Sequence, residues 1–120
     1  MKRLPHISEL KNKPRRGATP ETRLKRACTS LMKRFGIFSY PATQGLGSYP
    51  GIPDRIAHHG GKVVYLEFKA GKNRLSEKQV AFKERCRVDD IEYHVVRDVS
   101  DIEIIFDLPV LFRKGKRHAE

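Results

Sequence analysis

The chain has 120 residues, enough for one domain with a real core and too few for two ordinary ones. It is 38% hydrophobic and 32% charged, which suits a folded globule with solvated extensions better than a disordered chain. No apolar run approaches the roughly 18 residues of a membrane span, the start does not resemble a signal peptide, and a cytoplasmic protein is expected. The formal net charge of +11 favours a phosphate-bearing partner.

Residues 1–16 hold six basic residues (Lys2, Arg3, Lys11, Lys13, Arg15 and Arg16) against Glu9, a net +5. Pro5, Pro14 and Gly17 interrupt any period, so residues 1–18 read as a basic arm with at most a helical turn near Ser8. Thr19 suits an N-cap and Pro20 the first helical position. Leu24, Ala27, Cys28, Leu31, Met32 and Phe35 then recur at helical spacing until Gly36. Glu21 lies on that apolar stripe rather than on the solvent face.

A short strand over 37–40 leads into a loop over 41–53, whose Gly45, Gly47 and Gly51 allow the backbone to come close to a ligand. Residues 55–58 and 62–70 read as two strands joined by a tight turn at His59-Gly60-Gly61. Alternation places Val64, Leu66, Phe68 and Ala70 on one face of the second strand, and Val63, Tyr65, Glu67 and Lys69 on the other. Lys72 and Arg74 follow in a polar loop, where they are candidate DNA-binding residues. Ser76 opens a helix reaching about residue 88, with Gln79 completing a capping box and Leu75 set to staple against Val80. A fourth strand is expected over 92–97. Ser100 and Glu103 read as a second capping box, opening a short final helix with Ile102, Ile105 and Phe106 turned inward.

Residues 113–120 carry Arg113, Lys114, Lys116 and Arg117 against Glu120, a net +3, so the two tails hold +8 of the total charge. Two basic arms on a nearly balanced domain over 19–112 look like nucleic-acid clamps, with Lys11, Lys13, Arg15, Arg16 and the four basic residues of the tail binding phosphate. Cys28 and Cys86 form no C-x-x-C pair and read as reduced core residues. The order helix, three strands, helix, strand, helix describes an α/β fold with a mixed sheet between helices.

Glu67 and Lys69 are two positions apart on a strand, so their side chains project to one side with Cα atoms roughly 6–7 Å apart. If the two strands pair through the turn, Asp54 falls opposite Leu66 or Glu67 and two carboxylates converge beside one lysine. Such carboxylates repel unless a cation joins them, and hard oxygen ligands suit Mg²⁺ or Mn²⁺. The alternative for Glu67 and Lys69 is an ordinary ion pair on an exposed strand face. Glu21 has an alternative as a first-turn acid favoured by the helix dipole, and Gln79 as a capping residue alone. His58 and His59 read as a pair flanking the turn rather than as metal ligands, and no phosphate-binding or dinucleotide-binding glycine motif occurs.

Gly51-Ile52-Pro53-Asp54, then Glu67-Phe68-Lys69, then Ser76 with Gln79, resembles the VRR-NUC family of PD-(D/E)xK nucleases over about residues 20–106. The resemblance implies a restriction-endonuclease-like core. It implies a metal held by Asp54, Glu67 and the backbone carbonyl of Phe68, with Lys69 as the catalytic lysine and Glu21 and Gln79 completing the site. It further implies hydrolysis to 5′-phosphate and 3′-hydroxyl ends, without an organic cofactor. Small stand-alone members of the family resemble Holliday junction resolvases, so the leading expectation is a four-way junction endonuclease. Two symmetric cuts need two sites, which favours a homodimer, with Ile104, Leu108 or residues 110–112 as a candidate interface. A flap or nicking nuclease and a non-catalytic nucleic-acid-binding protein are the alternatives.

Overall fold

The first helix, α1 (Pro20–Arg34), begins where the sequence says it should. The Thr19 hydroxyl accepts the Thr22 N–H at 3.0 Å, and Pro20 occupies the first turn, where its missing N–H costs no hydrogen bond. The computed structural model describes residues 17–43 and 45–109. The arm through residue 16, with Lys11, Lys13, Arg15 and Arg16, lies outside those residues, as do 110–112, Arg113, Lys114, Lys116 and Arg117.

Cys28, Leu31 and Met32 form the buried face of α1, whereas Ala27, expected on the same stripe, is exposed. The inward face is rotated towards Met32 and leaves Ala27 on its solvent edge. Gly36, at φ 72°, reverses the chain. Ile37 then turns into the core and bonds back to the Met32 carbonyl at 2.9 Å. That diversion delays β1 (Phe38–Pro41) by one residue relative to the expected start.

The hairpin of β2 (Arg55–His59) and β3 (Lys62–Phe68) turns on Gly60 and Gly61, both at positive φ, as a two-residue connection requires. His59 pairs with Lys62, so the turn is one residue shorter than expected. β1 pairs antiparallel with β2, and β4 (Tyr93–Val96) joins β3 in parallel, giving a mixed sheet in the order β1-β2-β3-β4. Its crossover is α2 (Glu77–Val88). The Ser76 and Gln79 capping box is present, while Val80, the expected staple partner, stays 51% exposed.

The last helix, α3 (Val99–Phe106), starts earlier than expected: Asp98 is its N-cap and Asp101 the reciprocal partner. Aspartate caps as well as serine does, and Asp98 lies two residues upstream of Ser100. Glu103, freed from a capping role, is fully buried.

Ala57, Val64, Leu66, Phe68 and Val96 from the sheet meet α1 and α3 in one core, joined by Ile102 and Ile105. Burying Phe68 alone stabilises the fold by roughly 1.5–3 kcal/mol. The opposite face is covered by α2, where the Phe82 ring lies 5.9 Å from Tyr65 and 6.3 Å from Tyr93. Cys28 and Cys86 are buried and free, and burial, with Asp101 and Asp98 adding, pushes the Cys28 thiol to about 12. No helix among the described residues is long and apolar enough to cross a membrane.

Candidate active site

Pairing of Arg55 with Leu66 puts Asp54 level with Glu67 at the open end of the hairpin. The Asp54 carboxylate is fixed there by two groups: Oδ2 accepts the Phe68 N–H at 2.9 Å, and Oδ1 faces Lys25 Nζ at 3.5 Å. Glu67, on the face opposite the main core, is 1% exposed beneath α2. Its Oε2 accepts the Gln79 amide N–H at 3.0 Å and lies 3.8 Å from Lys69 Nζ. Oε1 is buried with no hydrogen-bond partner among the described residues.

Gln79 closes the cap of α2 and also reaches Glu67. Its Oε1 accepts the Ser76 N–H at 2.9 Å and so closes the cap, while its Nε2 donates to Glu67. An amide is suited to this because it carries a donor and an acceptor on one planar group. Lys69 continues the β3 backbone, with its N–H on the Val96 carbonyl at 3.0 Å, and this pairing fixes its direction.

The electrostatic consequence is concentrated on Glu67. Burial raises its carboxyl to about 7, Asp54 pushes the same way, Lys69 opposes, and Glu21 adds a smaller upward push. A carboxyl in that range readily exchanges its proton for a cation. Glu21 is half-buried in the first turn of α1, within electrostatic reach of Glu67 but not hydrogen-bonded to it. The structure therefore brings Asp54, Glu67, Lys69 and Gln79 together, with Glu21 at the edge. Lys72 and Arg74 are exposed on the loop leaving this centre, and Arg97 holds that loop by donating to the Gly71 and Asn73 carbonyls at 3.2 and 2.8 Å.

The residues present fit a hard divalent cation. The Asp54 and Glu67 carboxylates offer oxygen donors, and Glu67 Oε1, with no hydrogen-bond donor among the described residues, is able to take a cation. Among the described residues no group of three or more His, Cys, Asp or Glu side chains is arranged to hold a metal. Water would complete the coordination, as is usual for Mg²⁺. His58 and His59 are exposed, and the His58 ring packs 5.1 Å from Phe38.

Two neighbours escaped the sequence reading. Lys25, one turn beyond Glu21, pairs with Asp54, and its spacing of four from an inward acid was the available signal. The Tyr93 hydroxyl is buried without a hydrogen-bond partner among the described residues. Its pKa is raised, first by burial and then by Glu67, Cys86 and Asp54. Nothing in the local sequence distinguished it from an ordinary strand tyrosine.

No family model and no curated protein matches the sequence. Among solved structures the chain is similar to a VRR_NUC domain, with a TM-score of 0.64 and 20% identity over 75% of this chain and 97% of that one. It is also similar to Hjc from Archaeoglobus fulgidus, a Holliday junction resolvase from an archaeal hyperthermophile. The TM-score there is 0.50, with 22% identity over 64% of this chain and 67% of the other. The fold is thus the restriction-endonuclease-like one, a mixed four-stranded sheet flanked by helices.

Proposed function

We propose that the chain is a metal-dependent endonuclease that hydrolyses DNA phosphodiester bonds at Asp54, Glu67 and Lys69. The observation that carries this reading is the convergence of the two carboxylates beside one lysine, with Glu67 Oε1 buried and unpartnered among the described residues. The likeness to Hjc, itself a Holliday junction resolvase, supports a four-way junction as the substrate. Function is argued from the site because one fold hosts many chemistries.

In this reading Asp54, Glu67 and the Phe68 carbonyl hold Mg²⁺ or Mn²⁺. Such an ion supplies Lewis-acid polarisation of the phosphoryl group and charge compensation at the leaving oxygen. Lys69 donates to a non-bridging oxygen or orients the attacking water, which favours the transition state over the bound ester. Gln79 holds the Glu67 carboxylate in one orientation, leaving Oε1 free to face the cation. Glu21, on α1, positions solvent at the far side of the site. Lys25 would balance part of the Asp54 charge. Exposed Lys72 and Arg74, with the basic arms, bind phosphates and position DNA without reading its sequence.

The domain over 19–112 would act as a homodimer, placing two sites in the two-fold symmetry of a junction. A flap or nicking enzyme is the next reading, and a non-catalytic DNA clamp the one outside enzymology. A panel of linear, flap, forked and four-way DNA, incubated with Mg²⁺ or Mn²⁺ and with chelator, separates them. Paired cuts in the four-way substrate support the resolvase. Cuts confined to flaps favour the second reading, and equal binding with and without metal but no cutting supports the clamp.

A further inference from the structure

Beside the catalytic centre lies a cavity of about 440 Å³ walled by Tyr49, Pro50, Lys78, Ala81, Phe82 and Arg85. Tyr49 is 71% exposed, yet its ring sits 6.2 Å from Phe82, which continues the aromatic row through Tyr65 and Tyr93. The loop and helix forming this cavity are pressed together, because a Cβ at Gly51 would collide with the Lys78 carbonyl. Phe82 on the cavity wall lies 5.9 Å from Tyr65, which shares a face of β3 with Glu67 two residues on, so the cavity and the site lie along one face of the sheet.

We propose that this cavity is a nucleobase-binding subsite for an unpaired base of the substrate strand; the assignment deepens the nuclease reading and rests on it. An apolar floor of Ala81 and Phe82 with an exposed tyrosine at the rim matches the π-face of a base, and base–aromatic stacking tolerates any sequence. Lys78 and Arg85 on the same wall match the phosphates on either side of that base. Arg85 is shared with Asp89 at 2.8 Å and keeps its other guanidinium donors. Bases inside a duplex present no free face to an open cavity, so the subsite selects DNA with unpaired nucleotides beside the cut, which within the nuclease reading favours a flap over a fully paired four-way junction.

The test is fluorescence anisotropy of the full chain in EDTA, with a fully paired duplex and the same duplex carrying a single-stranded thymine flap. Tyr49→Ala removes a mostly exposed ring and should weaken binding to the flap DNA about tenfold while leaving duplex binding unchanged. Tyr49→Phe should retain wild-type preference. A 2-aminopurine placed in the flap should be quenched by the wild-type chain and not by Tyr49→Ala. Equal losses on both DNAs, or no loss on either, overturn the subsite. Cleavage of the same DNAs in Mg²⁺ separates the two claims. A chain that cuts but shows no Tyr49-dependent preference keeps the nuclease reading and loses the subsite. A selective loss in Tyr49→Ala, together with a wild-type chain that never cuts, supports the subsite and overturns the nuclease.

Discussion

Glu67 concentrates the tension of the site. Its carboxyl sits at about 7 against the ordinary 4.5, chiefly because it is buried and secondarily because Asp54 is close. Between those values the folded chain binds more protons than the unfolded one, so stability falls as pH rises through the window. Glu67→Gln keeps the shape and removes the charge. Without added cation it should raise the thermal midpoint near pH 8 by several degrees, on the order of 2 kcal/mol, and change it little near pH 4. A variant that melts at the wild-type temperature across this range contradicts the assigned burial cost. The same substitution, like Asp54→Asn, should weaken Mn²⁺ binding in a calorimetric titration, and unchanged affinity in both variants would remove the shared metal site. The convergence of Asp54, Glu67 and Lys69 was legible because strand alternation and a glycine turn are local rules, whereas for Gln79 those rules gave only the cap and its place beside Glu67 came from the family resemblance. Lys25 and Tyr93 were not legible, since their partners depend on how α1 and α2 dock on the sheet.

The same division between local and non-local holds for the elements. The β2–β3 hairpin follows from two glycines and alternating side chains, and it sets the register that levels Asp54 with Glu67. The start of α3 differs from the expected one because Asp98 and Ser100 both suit an N-cap, and only the packed structure chooses between them. Burial of Glu103 was equally invisible, as its sequence context looks like a solvated first turn. The loop before β2 makes its close approach to α2. Gly51, at φ 84°, lies where any side chain would strike the Lys78 carbonyl. Gly51→Ala is therefore expected to destabilise the chain by about 1–3 kcal/mol and to lower cleavage by displacing Asp54, which follows three residues later. Thermal unfolding and a cleavage assay check both effects, and a wild-type midpoint with wild-type activity contradicts the close approach.

At the scale of the whole molecule, the proposed function makes charge and symmetry decide how DNA is met. Deleting residues 1–16 removes a net +5 and should flatten the dependence of log K on log salt by up to ~0.9 for each phosphate that the arm neutralises. An unchanged slope would show that the arm does not touch DNA. Of the interface candidates, Ile104 is 59% exposed, whereas Leu108 packs against the core and residues 110–112 lie outside the described residues. Ile104 is thus the remaining described candidate, and Ile104→Glu should shift a dimer towards monomer in light scattering across a concentration series. A wild-type monomer that still makes paired cuts contradicts the symmetric mechanism.

Whether Asp54, Glu67 and Lys69 form a DNA-cutting centre is decided at Lys69, because the proposed role has its charge act on the transition state more than on the bound strand. The measurement is single-turnover cleavage of a labelled four-way junction in Mg²⁺ by the wild-type chain and Lys69→Ala, with junction affinity measured in parallel. The wild type should cut, the variant should be slower by about a hundredfold or more, and affinity should change only a few-fold. Cutting at the wild-type rate by Lys69→Ala, or no cutting by the wild type on any DNA with either metal, would contradict that assignment.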